Sequence, residues 1–270
     1  PHIYFKDYRS EPFPVIPLPE QKQITEVLEQ TLELIDKAKS NVEKNIENAK
    51  ELFQSKLNQI FSQTGEDWEI NAIKDVGETQ TGSTPPTKDK SNYGNFIPFA
   101  KPPHFNKNGT LNTGDSMLSE LGLKKSRLIK ANSVLMVCIG ATIGKTAFTK
   151  EDICSNQQIN ALTPKENYAP KLLYYAMIST TFQNKVKSEG KSAQATLPII
   201  NKSKWSNLKI NLPQNIIKQK EIVESLDIMD NHVQSLLMSY KEELKNLEEL
   251  KKSILQKAFA GELTNKKDAS

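Results

Sequence analysis

One long helical segment occurs twice in this chain, 198 residues apart, and that duplication limits the possible folds more than any other feature. The run Gln21-Lys22-Gln23-Ile24 recurs as Gln219-Lys220-Glu221-Ile222, and Ser55…Phe61 recurs as Ser253…Phe259. Each copy places its serine 34 positions after its glutamine, although the sequences between them match poorly. An inserted residue would rotate a helix's apolar face by about 100°, so geometry holds the length. Neither segment contains Gly or Pro; Pro19 and Pro213 lie just ahead of the two starts, and Gly65 and Gly261 just beyond the ends. This is helix punctuation.

A four-three rhythm gives the seam of the second segment as Ile222, Leu226, Met229, Val233, Leu236, Tyr240, Glu243, Leu247, Leu250 and Ile254. The first gives Ile24, Leu28, Thr31, Ile35, Ala38, Val42, Asn45, Ala49 and Leu52, closed by Leu57, Ile60 and Phe61. Spacing near 3.5 over many turns predicts coiled-coil helices of roughly 60 Å. The nearest cover for each seam is the other rod, and an antiparallel pair lets the chain leave one rod and return to the other through a domain at one end. The bland reading is a dimerisation zipper with no connection to any ligand.

The expected fold class is α+β, a globular mixed α/β domain attached to two long antiparallel coiled-coil helices. The expected division is 1–19, the tail of a preceding domain; 20–64, the first long helix; 65–213, the globular domain; 214–263, the second long helix; and 264–270, a flexible tail. The tail reading rests on Val15-Ile16-Pro17-Leu18-Pro19, which enters the first rod much as Lys209-Ile210-Asn211-Leu212-Pro213 enters the second.

The net charge of +4 becomes informative once divided. Residues 66–208 carry 18 basic and 12 acidic side chains, while the flanks carry 18 and 20, so the positive balance belongs to the middle domain. That segregation favours a polyanionic partner. Only Arg9 and Arg127 are arginines, so phosphate contacts rest on lysine. Cys138 and Cys154 are too few for a disulfide framework. No apolar run approaches membrane-spanning length, and a cytoplasmic protein with no membrane contact is the expectation.

In the middle domain, Phe96–Phe99 and Ser133–Ile139 read as buried strands, Thr79–Thr87 as a polar loop, and one helix runs from near Pro170 through Val186. Three catalytic motifs fail on chemistry. Gly140-Ala141-Thr142-Ile143-Gly144-Lys145-Thr146 has three residues between its glycines, one short of a phosphate-wrapping P-loop. Lys101-Pro102-Pro103-His104 sits near an adenine-methyltransferase motif, but a protonated lysine cannot accept hydrogen bonds from the adenine amine. His2, His104 and His232 have no partners at metal-ligand spacing.

What remains is a surface rich in lysine and amides. Asn156-Gln157-Gln158-Ile159-Asn160 packs four amides into five positions; amides can bond two atoms of adenine's major-groove edge, or merely satisfy backbone groups. Lys124, Lys125, Arg127 and Lys130 form a basic stretch, a solvated face or a phosphate contact. Lys185, Lys187, Lys191 and Lys202, with Gln194, could extend it.

Several segments together resemble the specificity subunits of type I restriction–modification systems, over essentially the whole chain. Gly82-Ser83-Thr84-Pro85 resembles the family's Gly-x-Thr-Pro loop, Asn95-Phe96-Ile97-Pro98-Phe99 its Ile-Pro strand, and Gly140–Gly144 its glycine turn. Asn156–Leu162 resembles its Asn-Gln-x-Ile-Asn segment; Ile210-Asn211-Leu212-Pro213 and Leu255–Leu263 resemble the entry and exit of its long helix. The resemblance implies a non-catalytic reader of double-stranded DNA with two target-recognition domains, spaced by antiparallel helices. Methylation and restriction subunits would dock on it and bring S-adenosylmethionine, ATP and magnesium; no cofactor is expected on this chain. One domain is whole here and the other reduced to a tail, so the chain reads as a truncated piece or as a half-subunit that self-associates through its long helices. The expected DNA-binding residues are Thr84, Lys88, Lys101, Lys124, Lys125, Arg127, Lys145, Gln157, Gln158 and Gln194, with no catalytic and no metal residues. A competing reading is a coiled-coil scaffold whose middle domain binds protein; an enzyme in its own right would need a catalytic constellation that the sequence does not offer.

Overall fold

A computed structural model describes Tyr4, Arg9, residues 16–190 and residues 197–263. In chain order the elements are α1 (Leu18–Phe61), β1 (Trp68–Ala72), α2 (Ile73–Val76), β2 (Gly77–Thr81), β3 (Tyr93–Ala100), β4 (Met117–Leu118), α3 (Glu120–Lys124), β5 (Ser133–Val137), β6 (Thr146–Thr149), β7 (Cys154–Ser155), β8 (Ile159–Pro164), α4 (Pro170–Ile178), α5 (Thr180–Gly190), α6 (Lys202–Ser206), β9 (Lys209–Pro213) and α7 (Ile216–Phe259). The fold is the expected mixture of helix and sheet with two long rods. The chain divides into a helical unit, 1–50 with 233–270, and a globular unit, 51–232.

Both rods are 44 residues long, about 66 Å at 1.5 Å per residue. The glutamine that anchors the repeat does the same work in each copy. Gln21 Nε2 donates to Ile16 O at 2.7 Å, and Gln219 Nε2 to Pro213 O at 2.8 Å, tying each helix start to the carbonyl ahead of it. Gln219 is fully buried and its oxygen also accepts from Ala169 N, so no polar atom is left unsatisfied there. Asn215 Oδ1 caps α7 by accepting from Ile217 N at 2.8 Å. Gly261 closes it at φ 72°, donating to Ala258 O while Glu262 N reaches Lys257 O.

In the helical unit the rods run antiparallel, as expected: Lys39 pairs with Glu248, and Asp36 with Lys251 at 3.0 Å, the numbers falling in one helix as they rise in the other. The seam, however, departs from a strict heptad. In α1 the least exposed track passes through Ile24, Leu28, Thr31, Ile35, Ala38 and Val42, then through Ile46, Ala49, Phe53, Leu57 and Ile60. Asn45 and Leu52 face solvent instead. In α7 it passes through Val233, Leu237, Tyr240, Leu244, Leu247, Lys251, Ile254 and Ala258, leaving Leu236, Glu243 and Leu250 outside. Ten steps cover 36 residues from Ile24 to Ile60, a period of about 3.6, that of a nearly straight helix; the strict heptad drifts off it by about 20° per repeat.

The globular unit is built on an antiparallel sheet in the order β2-β8-β5-β6, a second sheet β4-β3-β7 in which β3 and β7 run parallel, and the ribbon β1-β9. β5 is buried at every position, as the apolar run Val134–Val137 demands, and the hydroxyl of its first residue, Ser133, bonds that of Thr163 at 2.8 Å. Its Leu135 and Val137 pack with Ala100, Phe105, Ile129, Ala147, Ile153, Ile159 and Ala161. The ribbon pairs Trp68 with Pro213, so the strand that follows α1 lies beside the strand that precedes α7. Asn211 Nδ2 donates to Phe61 O and Gln63 O, covering orphan carbonyls at the end of α1.

Two local expectations need correction. The helix expected from Pro170 through Val186 is two helices, α4 and α5, broken at Ser179, whose backbone is extended at ψ 145°. Ser179 Oγ accepts from Phe182 N at 3.3 Å, capping the second helix, and hydroxyl residues at 179–181 favour that cap over helix continuation. Thr79–Thr81, expected in a loop, forms the end of β2, because pairing with β8 satisfies a polar strand that has no apolar rhythm of its own.

Trp205 is fully buried, with Nε1 3.3 Å from Met136 Sδ. Trp205→Ala is expected to lower the unfolding free energy by about 3–5 kcal/mol, read by urea denaturation of the full chain. A change below about 1 kcal/mol contradicts this placement.

Candidate nucleic-acid interface

Strand register and backbone hydrogen bonds bring six segments to one end of the sheets. Thr81, at the end of β2, pairs with Asn160 near the start of β8, and Val137, at the end of β5, pairs with Ile159. The β5–β6 turn therefore lies beside the β7–β8 turn, and Cys138 N donates to Gln158 O. Ala100, at the end of β3, pairs with Ser155 and accepts from Asn156 N at 3.1 Å. Segment 119–128 joins through Ser126 Oγ, which donates to Ser83 O at 2.6 Å, and Arg127 Nη1, which donates to Thr81 O at 2.8 Å. Residues 198–200 reach the β5–β6 turn, with Gly140 N donating to Pro198 O.

This convergence collects side chains that lie far apart in sequence. Thr84 Oγ1 donates to Gln157 Oε1 at 2.7 Å across 73 residues. Lys125 Nζ pairs with Asp89 at 3.1 Å, fastening the end of α3 to the loop that carries Lys88. The Asp89 carboxyl is held below the usual carboxylate range by the Ser91 hydroxyl first and Lys125 next, so it is ionised at neutral pH and offsets Lys125. Lys101 Nζ lies 5.6 Å from the Phe99 ring centre. Lys88, Lys124 and Lys145 are exposed and make no side-chain hydrogen bond or ion pair among the described residues, so their charges are uncommitted. Gln194 lies outside the described residues.

Other expected members of the basic surface are elsewhere. Lys130 precedes the opposite end of β5, where it pairs with Asp152 at 3.2 Å. Lys185 donates to Lys209 O at 2.9 Å on the way to β9. Strand direction, invisible in a run of nearby lysines, separates Lys130 from Arg127.

Several organising residues lay outside the sequence-based set. Asp89 accepts from both the backbone and the hydroxyl of Ser91, an Asp-x-Ser turn that could have been read from the chain. Asn156 Nδ2 donates to Gln158 Oε1 at 2.9 Å, and Gln183 Nε2 braces the glycine turn through Gly144 O at 2.9 Å. His104 Nδ1 accepts from Lys101 N at 3.2 Å; burial first, and the Lys101 charge second, lower its pKa and keep it neutral. The glycine turn joins two antiparallel strands, with Gly140 at φ 102° and Gly144 at φ 89°, and is not the strand-to-helix loop that wraps a phosphate. Burial pushes the Cys138 thiol up to about 12 and raises Cys154 as well, so neither is poised as a nucleophile. No group of three or more potential metal ligands occurs among the described residues.

The specificity subunit of the type I restriction enzyme HindI of Haemophilus influenzae is 28% identical over 202 residues, covering 73% of this chain and 42% of that protein. The MjaIX specificity subunit of Methanocaldococcus jannaschii is 28% identical over 63% of this chain and 39% of its own length. The EcoBI specificity subunit of Escherichia coli is 26% identical over 97% and 60%. The chain thus spans less than two thirds of each of these relatives. Among solved structures, one from work on assembly and conformational transition of the type I restriction–modification system superposes with a TM-score of 0.74 at 23% identity, covering 93% of this chain and 62% of that one. The HsdS subunit from Thermoanaerobacter tengcongensis gives 0.60 at 23% identity, over 97% and 64%. These superpositions establish a shared fold. Residues 65–246, two thirds of the sequence, match the family described as the type I restriction modification DNA specificity domain, and the chain belongs to that family.

Proposed function

We propose that the globular unit reads a sequence in double-stranded DNA as the specificity component of a type I restriction–modification complex, directing adenine methylation and restriction by partner subunits. The observation that carries this reading is the convergence of uncommitted lysines and amides at one end of the sheets, inside the stretch that matches the family. Lys88, Lys124 and Lys145 would contact phosphates and set register, while amides and hydroxyls of the same loops meet the bases. In this reading the chain is non-catalytic, and S-adenosylmethionine, ATP and magnesium act on the partner subunits.

The helical unit offers a docking surface for those partners. Val27, Leu34, Leu236 and Leu250 are 41%, 67%, 46% and 47% exposed. At 100° per residue they fall on one side of the antiparallel pair, opposite the side that carries Lys39 and Glu248. Exposed apolar side chains along paired helices suit a partner helix from a methylation subunit, or a second copy of this chain.

Replacing Lys88, Lys124 and Lys145 together by alanine is expected to flatten the dependence of log K on log salt by about 0.9 for each phosphate that is no longer neutralised, on every duplex sequence alike. Lys130→Ala is expected to leave the slope unchanged. If the triple variant keeps both the affinity and the slope of the parent chain, the loop cluster does not hold DNA. Sequencing methylated adenines in host cells with and without this chain tests the directing role.

A further inference from the structure

Leu197 and Ile199 are 54% and 47% exposed, at the same end of the sheets as the converging lysines and amides. Their segment is held on both sides. Gly140 N donates to Pro198 O at 3.0 Å and Ile200 N to Cys138 O at 2.9 Å, fixing it to the β5–β6 turn. Ile199 N donates to Gly190 O at 3.1 Å, at the end of α5, and Ile199 forms an antiparallel bridge with Ile139. Exposure alternates along the segment: Leu197 and Ile199 are exposed, Pro198 is half-buried and Ile200 is buried. This is the period of an extended chain, and it sets Leu197 and Ile199 on one outward face. Turning that face inward would take Ile200 out of the core and break all three backbone bonds.

The charge around this face decides what covers it. Residues 185–204 carry five lysines and a single acid, Glu189. Lys187 and Lys202 are exposed and make no side-chain hydrogen bond or ion pair among the described residues, while Glu189 is offset by Lys204 at 3.7 Å. An apolar pair inside a cationic rim suits a polyanion that also presents apolar groups. In the major groove of duplex DNA that group is the 5-methyl of thymine. The spacing agrees, because two residues of extended chain span about 6.6 Å and two base-pair steps about 6.8 Å.

On the reading of this domain as a DNA binder, we infer that Leu197 and Ile199 pack on the 5-methyl groups of thymines two base pairs apart and so help to set the sequence that is read. Such a contact carries no charge. Lysine on phosphate releases counterions and depends on salt, whereas burial of a methyl group releases none. The two kinds of contact therefore separate in one measurement: a lysine lost flattens the salt dependence, and a leucine or isoleucine lost lowers affinity at every salt concentration alike.

The test selects sites from a random double-stranded pool with the full chain, then measures affinity for a selected site across a range of salt concentrations. Leu197→Ala combined with Ile199→Ala, checked by thermal melting, is expected to cost roughly tenfold or more with the slope of log K on log salt unchanged. Deoxyuridine in place of thymine removes the 5-methyl group and nothing else. Exchanged one thymine at a time, it is expected to cost the parent chain about fourfold at each of two positions two base pairs apart, and to cost the double variant nothing further there. The deoxyuridine arm on the parent chain stands whether or not the variant folds. The inference is overturned if the parent binds its site equally well with every thymine exchanged, or if the double variant binds like the parent. A double variant that keeps DNA affinity but no longer co-purifies with a methylation subunit assigns the face to protein and overturns it as well. A parent chain with no salt-dependent affinity for the pool instead defeats the DNA-binding reading itself, and the inference with it.

Discussion

Gly82→Ala is expected to remove most of the chain's DNA affinity, about tenfold or more, while leaving the globular unit folded with about 1–3 kcal/mol less stability. A Cβ at this position would lie 2.2 Å from Ser155 Oγ, 2.3 Å from Asn156 O and 2.4 Å from Ser155 O. Two of those atoms are backbone and cannot swing aside, so the β2 end and the β7–β8 turn must separate. Their separation removes the bonds from Gly82 N to Ile159 O and from Ser83 N to Ser155 O, and with them the approach of Thr84 to Gln157. The requirement for glycine here is one of proximity; Gly82 is not among the glycines with left-handed backbone. Gly114 is the reverse case, at φ 51° with nothing within 4 Å of its Cβ, so alanine there strains the backbone but moves no neighbour. Fluorescence anisotropy on duplex DNA, with amide exchange at residues 82–84 and 156–159, reads the two effects separately. An alanine variant with unchanged affinity and unchanged exchange at both segments shows that this close approach does not govern binding.

Much of the architecture was legible because it is written in period and punctuation. The duplicated glutamine, the proline ahead of each rod and the glycine beyond it mark two equal helices, and the structure gives the glutamine its reason in the bonds to Ile16 O and Pro213 O. The apolar run Val134–Val137 identifies a buried strand without help from any other segment. Pairings fixed by strand register were not legible. Thr84 meets Gln157 only because Thr81 pairs with Asn160, and a shift of one residue would turn each side chain to the other face. Lys130 fell out of the basic stretch for the same reason: three residues carry the chain from Arg127 toward the far end of β5, where Asp152 waits. Ser179 broke a helix that apolar spacing alone would have continued.

The rods show how residue type can mislead where period would not. Leu236 and Leu250 are leucines at strict heptad positions, yet they are 46% and 47% exposed, while Leu237, Leu244 and Lys251 take the less exposed track. Val42 lies at the middle of the α1 seam, 4% exposed, and Ile35 two turns before it is equally buried. Val42→Asp is therefore expected to place a carboxylate within the most buried stretch of the apolar track. Burial of an unpaired charge costs several kcal/mol, more than a two-helix unit of this size can lose, so the pair should open. Leu236→Glu is expected to change stability by no more than about 0.5 kcal/mol, because its side chain already meets solvent. The exposed ion pairs Lys39–Glu248 and Asp36–Lys251 cannot rescue the seam, since such pairs contribute about 0–1 kcal/mol each. Limited proteolysis and amide exchange across residues 20–50 and 233–258 distinguish the outcomes. Protection lost in Val42→Asp and retained in Leu236→Glu fixes the seam at its 3.6-residue period, whereas equal loss in both variants returns it to the strict heptad.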